Sequence, residues 1–291
     1  MAENGIPILV TGADGQLGNE FRKLSGGRDL ELCFTDYREL NILDYQAVRE
    51  FLDRNSFRYI INCAAYTAVD KAEDEPEKAY SLNADAVGNL ASVTLEKSIR
   101  LIHLSTDYVF SGYMPRPLAE NDEPLPETVY GNSKFEGELS LKNHPGAMII
   151  RTSWLYSTYG NNFVKTILRK MKEQSHVKVV FDQTGSPTYA RDLASAILDI
   201  IEGVESESFP FNPGVFHYAN EGVCSWYDLA VEIARLSGVK TIIRPVETRE
   251  YPTQAPRPWY SVLNKEKIKS VYHLTIPHWR DSLEKCIAEL K

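Results

Sequence analysis

The chain has few histidines and cysteines, and none is spaced as metal ligands usually are. Six histidines and four cysteines are dispersed over 291 residues without a Cys-x-x-Cys pair. His273 and His278 lie five positions apart, but Pro277 interrupts the segment between them. We therefore predict no metal site. Cys33 and Cys63 stand in apolar runs, which is typical of free buried thiols in a reduced compartment.

Long apolar runs and an excess of basic charge are also missing. No run approaches the ~20 apolar residues that a membrane-spanning helix needs. No basic segment followed by a long apolar core stands near the first residue, so we expect no secretory signal and a cytoplasmic location. The formal net charge of -8 argues against a nucleic-acid or anionic-membrane partner, because either would need a basic face.

The first pattern that is present is a strand followed by a glycine-rich turn and a helix. Residues 6–10 are apolar, and residues 11–18 read TGADGQLG. Gly12 permits the tight turn, Gly15 lets the backbone approach a pyrophosphate, and Gly18 lets the helix pack on the strand. The free N–H groups at the helix N-terminus favour phosphate. The spacing Gly-x-x-Gly-x-x-Gly, in this context, predicts dinucleotide binding.

An acidic residue, Asp36, ends the second predicted strand at residues 30–35. A carboxylate about 20 positions past the glycine turn is placed to accept hydrogen bonds from the adenosine ribose. That position favours NADH, because a carboxylate repels the 2′-phosphate of NADPH. Arg38 could offset the repulsion, so both NADPH and NADH stay open as cofactors.

Strands and helices then alternate through the first half of the chain. Further strands are predicted at 59–63, 101–105 and 147–152, and small residues after the third let a cofactor lie close. The absence of hairpin signals predicts right-handed βαβ units and an α/β fold with a Rossmann-type doubly wound parallel sheet. We assign 1–152 to a dinucleotide-binding core, to which 161–183 and parts of 192–220 return. Residues 184–291 form mainly a smaller C-terminal substrate-binding lobe.

Tyr130 and Lys134 stand four positions apart at the start of a predicted helix, and therefore on one face. A lysine in that position would lower the pKa of the tyrosine, which could then exchange a proton with a sugar oxygen near neutral pH. Tyr-x-x-x-Lys also occurs by chance as a solvated pair. Thr106 at the end of the fourth strand favours catalysis, because ligands of parallel sheets bind at the carboxyl ends of strands.

The order of these motifs resembles the extended short-chain dehydrogenase/reductase family, and most closely its dTDP-4-dehydrorhamnose reductases. The similar segments cover residues 6 to about 263, nearly the whole chain. They are TGADGQLG at 11–18, CAAYTAVDKAE at 63–73, STDYVF at 105–110, YGNSK at 130–134, RTSWLY at 151–156, GNNFVKT at 160–166, DQTGSPT at 182–188 and RPxxS at 257–261.

The resemblance implies reduction of the C4 ketone of dTDP-4-dehydro-L-rhamnose to dTDP-L-rhamnose by hydride from NADPH or NADH. It makes Tyr130 the proton donor, Thr106 the residue that orients the ketone oxygen, and Lys134 the ligand of the nicotinamide ribose that lowers the tyrosine pKa. The cofactor-binding positions are Gly12, Asp14, Gly15, Gln16, Leu17, Asp36, Asn41, Ile42, Ala64, Ala65, Tyr66, Thr67, Tyr130 and Lys134. The positions that bind the dTDP-linked 4-keto-6-deoxy sugar are Thr106, Asp107, Tyr108, Trp154 and Arg257.

Two of these substrate assignments have plainer alternatives, and two positions depart from the family pattern. Trp154 could be a core tryptophan, and Arg257 could form a surface salt bridge. Asn41 stands where many relatives carry aspartate, which changes the adenine contact.

Some members bind magnesium at a dimer interface through glutamates. Glu20 fits one ligand, but Arg191 stands at another, so we predict no metal and a monomer or weak homodimer.

Two other functions are compatible with a chain of this kind. The regulatory subunit of methionine adenosyltransferase resembles the family and acts by binding a partner, so a non-catalytic NADP-binding regulator is one alternative. Another nucleotide-sugar reductase, epimerase or dehydratase is the second. Dehydratases of the family place Asp-Glu after the threonine, whereas Asp107 is followed here by Tyr108. The glutamate base of the dehydratases is therefore missing.

Overall fold

A six-stranded parallel sheet forms the centre of the computed structural model, which describes residues 5–291. The strand order is β10-β5-β4-β3-β1-β2, and all neighbours are parallel. The predicted Rossmann-type α/β fold is confirmed. The strands are β1 Ile6–Thr11, β2 Leu30–Thr35, β3 Tyr59–Asn62, β4 Arg100–Thr106, β5 Ala147–Thr152, β6 Leu155–Tyr156, β7 His176–Val180, β8 Thr184–Gly185, β9 Thr188–Tyr189, β10 Gly214–His217, β11 Cys224–Ser225 and β12 Ile242–Val246.

Helices cover both faces of this sheet, because successive side chains of each strand point to opposite faces. Ile8 and Val10 pack with α1 and α8, whereas Leu9 packs with α2, α5 and α6. The α-helices are α1 Gln16–Leu24, α2 Tyr45–Arg54, α3 Val69–Asp74, α4 Pro76–Tyr80, α5 Ala86–Lys97, α6 Val129–Leu141, α7 Phe163–Glu173, α8 Ala190–Glu205, α9 Trp226–Ser237, α10 Glu266–Tyr272 and α11 Trp279–Glu289. A π turn spans Ser81–Asp85, and 3-10 turns span Asp107–Val109 and Thr248–Glu250.

The chain passes from β1 to β2 on one side and then to β3 on the other. The strand order therefore reverses between β1 and β3, and the carboxyl ends of these strands border a crevice there. Open parallel sheets bind their ligands at such a reversal. The glycine turn follows β1, and Ala64 and Ala65 follow β3, so both lie at this crevice.

A second hydrophobic cluster lies outside the main sheet. It joins residues of α7 and β7 to residues of α9 and α11, and β7 pairs with β12 in a separate two-stranded sheet. Within residues 161–183, which the sequence analysis assigned to the core, α7 and β7 thus pack with α9, α11 and β12. By contrast, β10 pairs with β5, and α8 packs on the main sheet. The exact division of the chain into core and lobe stays a proposal.

Arg191 lies between two glutamates at the edge of the core. Its Nε donates to Glu20 Oε2 over 2.9 Å, and Glu289 accepts from the other end of the guanidinium. Glu20 has no exposed surface, so Arg191 supplies the positive charge that a buried carboxylate requires. Between Gly5 and Lys291, no group of three or more His, Cys, Asp or Glu side chains is arranged to hold a metal ion.

None of the helices within residues 5–291 combines the length and the apolar character required to cross a membrane.

Candidate active site

The glycine turn brings β1 very close to the end of β3. Gly12 has φ +65°, and a Cβ there would stand 2.5 Å from the backbone nitrogen of Ala64. A Cβ on Gly18 would stand 2.5 Å from Cα of Ala13, at the start of the turn. Only glycine fits at either position without moving backbone. Gly12 therefore permits the tight turn and Gly18 the close packing of the following helix, the roles that the first and third glycines have in a dinucleotide-binding turn.

A cavity of about 650 Å³ opens beside this turn, on the side of β2. Asp36 lies at its edge and accepts from the backbone nitrogens of Asp14 and Tyr37 over 2.9 and 2.7 Å. Arg38 is exposed and does not line the cavity, and the side chain of Asp14 turns outward to Arg22. The sequence-predicted residues that line the cavity are Gly12, Gly15, Asp36, Asn41, Ile42, Ala64, Ala65 and Tyr66.

A second cavity of about 540 Å³ continues from the turn toward β4, α6 and the smaller lobe. It shares Gly12, Gly15 and Ala65 with the first cavity, so an elongated ligand can extend through both. The further sequence-predicted residues that line it are Gln16, Leu17, Thr67, Thr106, Asp107, Tyr108, Tyr130, Lys134 and Trp154.

Thr106 ends β4 and begins the 3-10 turn that follows. Its Oγ1 accepts from the backbone nitrogen of Tyr108 over 3.2 Å and donates to Asp107 Oδ1 over 3.1 Å. Asp107 is only 2% exposed. Burial raises the pKa of Asp107 to about 6, and the hydroxyls of Ser261 and Thr106 partly offset the rise.

Tyr130 lies in the first turn of α6, where Thr128 caps the helix by accepting from the backbone nitrogen of Gly131 over 2.9 Å. The ring of Tyr108 meets it edge to face, with centroids 5.5 Å apart. Burial raises the pKa of Tyr130 to about 12, the Thr106 hydroxyl lowers it in part, and Asp107 adds to the rise. The sequence-based prediction of a lowered tyrosine pKa is therefore wrong for the protein alone.

Lys134 lies one turn further along α6 and is 2% exposed. Its Nζ donates to the carbonyl of Leu104 over 2.7 Å and lies 3.3 Å from Nε2 of His103. Burial lowers the pKa of Lys134 to about 8, and Glu138 and Cys63 partly offset the decrease. The hydrogen bond to Leu104 holds the Lys134 side chain at β4. Burial, and not the charge of Lys134, is therefore the main influence on the pKa of Tyr130.

Trp154 follows β5 and forms an aromatic wall of the second cavity. Its indole stacks on Trp226 of α9, with ring centroids 3.5 Å apart and planes within 8°. The backbone at Trp154 has φ +49°, which is uncommon for a bulky residue and often marks a functional site. A Cβ on Gly185 would stand 2.6 Å from the indole. The ring is thus fixed from two sides while it lines the cavity.

Arg257 lies at a third cavity of about 310 Å³, which borders the second one at Tyr108. Its guanidinium donates to Asp70 Oδ2 over 2.6 Å and to the carbonyl of Ala255 over 2.9 Å. Lys170 and Lys178 line the same cavity. Three cations, together with the carboxylate of Asp70 that pairs with Arg257, therefore line a space next to the Tyr130 site, and the rings of Phe163 and Trp226 line it too.

Residues 6–291 match the model of the family described as the RmlD substrate binding domain. The chain belongs to this family. It is 39% identical to dTDP-4-dehydrorhamnose reductase of Aggregatibacter actinomycetemcomitans, over 95% of this chain and 97% of that one. With the enzyme of the same name from Escherichia coli K12 it shares 37% identity over 97% of both chains.

Solved structures of other members of the RmlD family have the same fold. A dTDP-4-dehydrorhamnose reductase of Clostridium acetobutylicum superimposes with a TM-score of 0.92 and 41% identity, over 98% of this chain and 99% of that one. One from Bacillus anthracis, in complex with NADP, superimposes with the same TM-score at 37% identity and the same coverage. The resemblance predicted from the motifs is confirmed.

Sequence reasoning missed several residues of this RmlD-family site. Asn83, in the π turn, donates to Ser133 Oγ over 2.9 Å and exchanges hydrogen bonds with the backbone of Tyr66 over 2.8 and 3.0 Å. It thus ties α6 to the segment after β3. Lys170, Lys178 and Trp226 were missed because they lie outside the segments that carry the resemblance, on α7, β7 and α9. Asn83 was missed because nothing in the sequence indicates the π turn between α4 and α5.

Proposed function

We propose that this chain reduces the C4 ketone of dTDP-4-dehydro-L-rhamnose to dTDP-L-rhamnose. One observation carries the proposal: Thr106, Tyr130 and Lys134 line a single cavity that is continuous with the glycine turn. Membership in the RmlD family and relatives named dTDP-4-dehydrorhamnose reductase support the same activity. The glycine turn and the cavity beside it suit a nicotinamide dinucleotide, which supplies the hydride when bound.

Tyr130 would act as the proton donor in this reaction. The ketone oxygen gains negative charge as the hydride arrives, so donors already directed at it stabilise the transition state more than the ground state. Because burial raises the pKa of Tyr130 to about 12, the phenol keeps its proton at neutral pH until that charge develops. Thr106, whose hydroxyl lies beside the phenol, would orient the oxygen, and Lys134 would bind the nicotinamide ribose.

The cavity at Arg257 would hold the nucleotide part of the substrate. Lys170, Lys178 and Arg257 offer positive charge to a diphosphate, and the rings of Phe163 and Trp226 offer flat surfaces to a base or sugar. Tyr108 separates this cavity from Tyr130, and Trp154 would pack against the reacting sugar. Although the net charge of the whole chain is negative, these cations form a local site for an anion.

Replacement of both Lys170 and Lys178 by methionine is expected to raise the KM for the nucleotide sugar by roughly tenfold to a hundredfold, because two charge-assisted contacts are lost. A loss of binding energy that is equal in the ground state and the transition state leaves kcat nearly unchanged. Steady-state kinetics with varied substrate measure both constants. Lys172→Met is the matched control, because Lys172 lies exposed on the same helix and lines none of the three cavities. An unchanged KM in the double variant would contradict this placement.

The choice between NADPH and NADH depends on the carboxylate of Asp36. Asp36→Asn retains an acceptor but removes the negative charge, so we expect the kcat/KM ratio for NADPH over NADH to rise about tenfold. Initial rates with each cofactor give this ratio. Asp14→Asn is the control, because its side chain is exposed and lines neither cofactor cavity. An equal change in both variants would refute a specific role for Asp36.

The direct test is the loss of 340-nm absorbance with NADPH and then NADH, with dTDP-4-dehydro-L-rhamnose made in situ as the substrate. We expect oxidation of at least one cofactor and formation of dTDP-L-rhamnose, identified by chromatography against a standard. No oxidation with any nucleotide sugar, together with stoichiometric capture of a protein partner, would instead favour the regulatory function. Sedimentation of the same sample tests the predicted monomer or weak homodimer.

A further inference from the structure

Four buried polar side chains connect the glycine turn to the helix that carries Tyr130. Thr11 Oγ1 donates to Asn62 Oδ1 over 2.8 Å, and Asn62 Nδ2 lies 3.1 Å from His103 Nδ1. His103 Nε2 in turn lies 3.3 Å from Lys134 Nζ. Asn62 and His103 have no exposed surface. The chain of contacts runs through β1, β3 and β4 into α6, below the proposed nicotinamide site.

The orientation of the Asn62 amide is determined by its neighbours. Oδ1 also accepts from the backbone nitrogen of Ala64 over 3.2 Å, and that nitrogen can only donate. A flipped amide would direct two donors at one another, so Nδ2 must point to His103. Nδ2 has no acceptor capacity, so His103 Nδ1 must accept its hydrogen bond. A neutral His103 ring consequently carries its proton on Nε2.

This tautomer directs an N–H at Lys134. An ammonium has three donors and no acceptor, whereas a neutral amine has a free electron pair. Both forms of Lys134 can donate to the carbonyl of Leu104, but only the amine can accept from His103. We propose that His103 is a positioning residue whose fixed Nε2–H favours the neutral amine of Lys134 over its ammonium.

Of the other influences on Lys134, some favour its ammonium and some favour its neutral amine. Glu138, one turn further along α6, and the thiol of Cys63, after β3, favour the ammonium, whereas burial opposes it. Burial and the charge of Lys134 hold the pKa of His103 well below its usual range, so the ring stays neutral. The inference deepens the proposed function, because Lys134 would bind the cofactor ribose, but its test does not require turnover.

The His103 tautomer can be observed directly in the full chain labelled with ¹⁵N-histidine. Long-range ¹H–¹⁵N spectra distinguish a ring nitrogen that carries a proton from one that does not, and His103→Gln identifies the signals of His103. Between pH 6 and 9 we expect a protonated Nε2 and an unprotonated Nδ1. A ring with its proton on Nδ1, or an imidazolium, would overturn the inference without any bearing on the reductase activity.

Variants of Asn62 test whether the tautomer controls the lysine. Asn62→Ala removes the donor that fixes Nδ1 and adds no charge, so Nε2 becomes free to accept from Lys134. We expect the titration midpoint of Lys134 to rise by about one unit, which corresponds to one hydrogen bond. Lysine labelled with ¹³C at Cε reports the midpoint, and Lys134→Met identifies the signal.

Asn62→Asp provides a second check, in which an acceptor replaces the donor that faces His103. A carboxylate can only accept, so it should move the His103 proton to Nδ1 and raise the midpoint of Lys134 further. Circular dichroism and thermal melting show whether each variant is folded. An unchanged Lys134 midpoint in a folded Asn62→Ala variant would overturn the inference. If neither variant folds, the wild-type tautomer still decides it.

Discussion

Replacement of Tyr130 by phenylalanine is expected to lower kcat by about 10²–10⁴-fold, the range that a positioned proton donor usually contributes. The change removes one oxygen and keeps the ring, so the edge-to-face packing on Tyr108 is retained. The developing charge on the ketone oxygen would then lose the phenol and keep the hydroxyl of Thr106 as a donor. Single-turnover oxidation of NADPH measures this step without a contribution from product release.

Cofactor binding distinguishes loss of chemistry from loss of the site. Tyr130→Phe should change the dissociation constant for NADPH by less than about threefold, because a single hydrogen bond between neutral groups contributes little net binding energy. Tyr108→Phe is the comparison, since it removes a phenol from the same cavity but not the proposed donor. It should lower kcat much less. Retention of more than about a tenth of kcat in Tyr130→Phe is incompatible with the range for a proton donor.

Replacement of Arg151 by methionine is expected to lower the free energy of unfolding by about 3–5 kcal/mol, the cost of leaving a buried charge without its partner. Arg151 and Glu138 are only 3% and 4% exposed, and they are joined by two close contacts of 2.9 and 2.6 Å. Ser105 also donates to Glu138. The pair joins β5 to α6, the helix of Tyr130 and Lys134. Urea unfolding followed by circular dichroism measures the loss.

Two further variants separate the buried charge from the loss of side-chain packing. Arg169→Met breaks an exposed pair with Glu173 and should cost less than about 1 kcal/mol. Adding Glu138→Met to Arg151→Met removes the isolated carboxylate, so the double variant should be more stable than the single one. Equal losses in Arg151→Met and Arg169→Met would show that burial of the pair has no special cost.

Most of the central sheet could be predicted because its inner strands, β1, β3, β4 and β5, are largely buried on both faces. Each of β1 to β5 reads as a short apolar run, and the segments between them have helical spacing or clear caps. Asp44 caps α2, because its side chain accepts from the backbone nitrogen of Ala47 over 3.0 Å. Strand order at the glycine turn follows from general rules for parallel sheets. The cavity-lining residues therefore follow largely from motif position.

Properties that depend on distant contacts could not be predicted. The pKa of Tyr130 is dominated by burial, which the spacing of Tyr130 and Lys134 does not reveal. The apolar stripe of α7 is compatible with any hydrophobic surface, so nothing in it indicates packing against α9 and α11. The pairing of β7 with β12 joins segments far apart in the sequence. The cations of the third cavity were missed for the same reason.

The contact between Gly185 and the indole of Trp154 makes the residue types at these two positions depend on each other, although they lie far apart in the sequence. Any side chain at 185 would occupy the volume of the ring, while Trp154 already holds a backbone conformation that large residues rarely adopt. Glycine at 154 would relax that backbone and admit bulk at 185, but would leave Trp226 without its stacking partner. A side chain at 185 thus requires a smaller residue at 154, and the stacking on Trp226 is lost with that change.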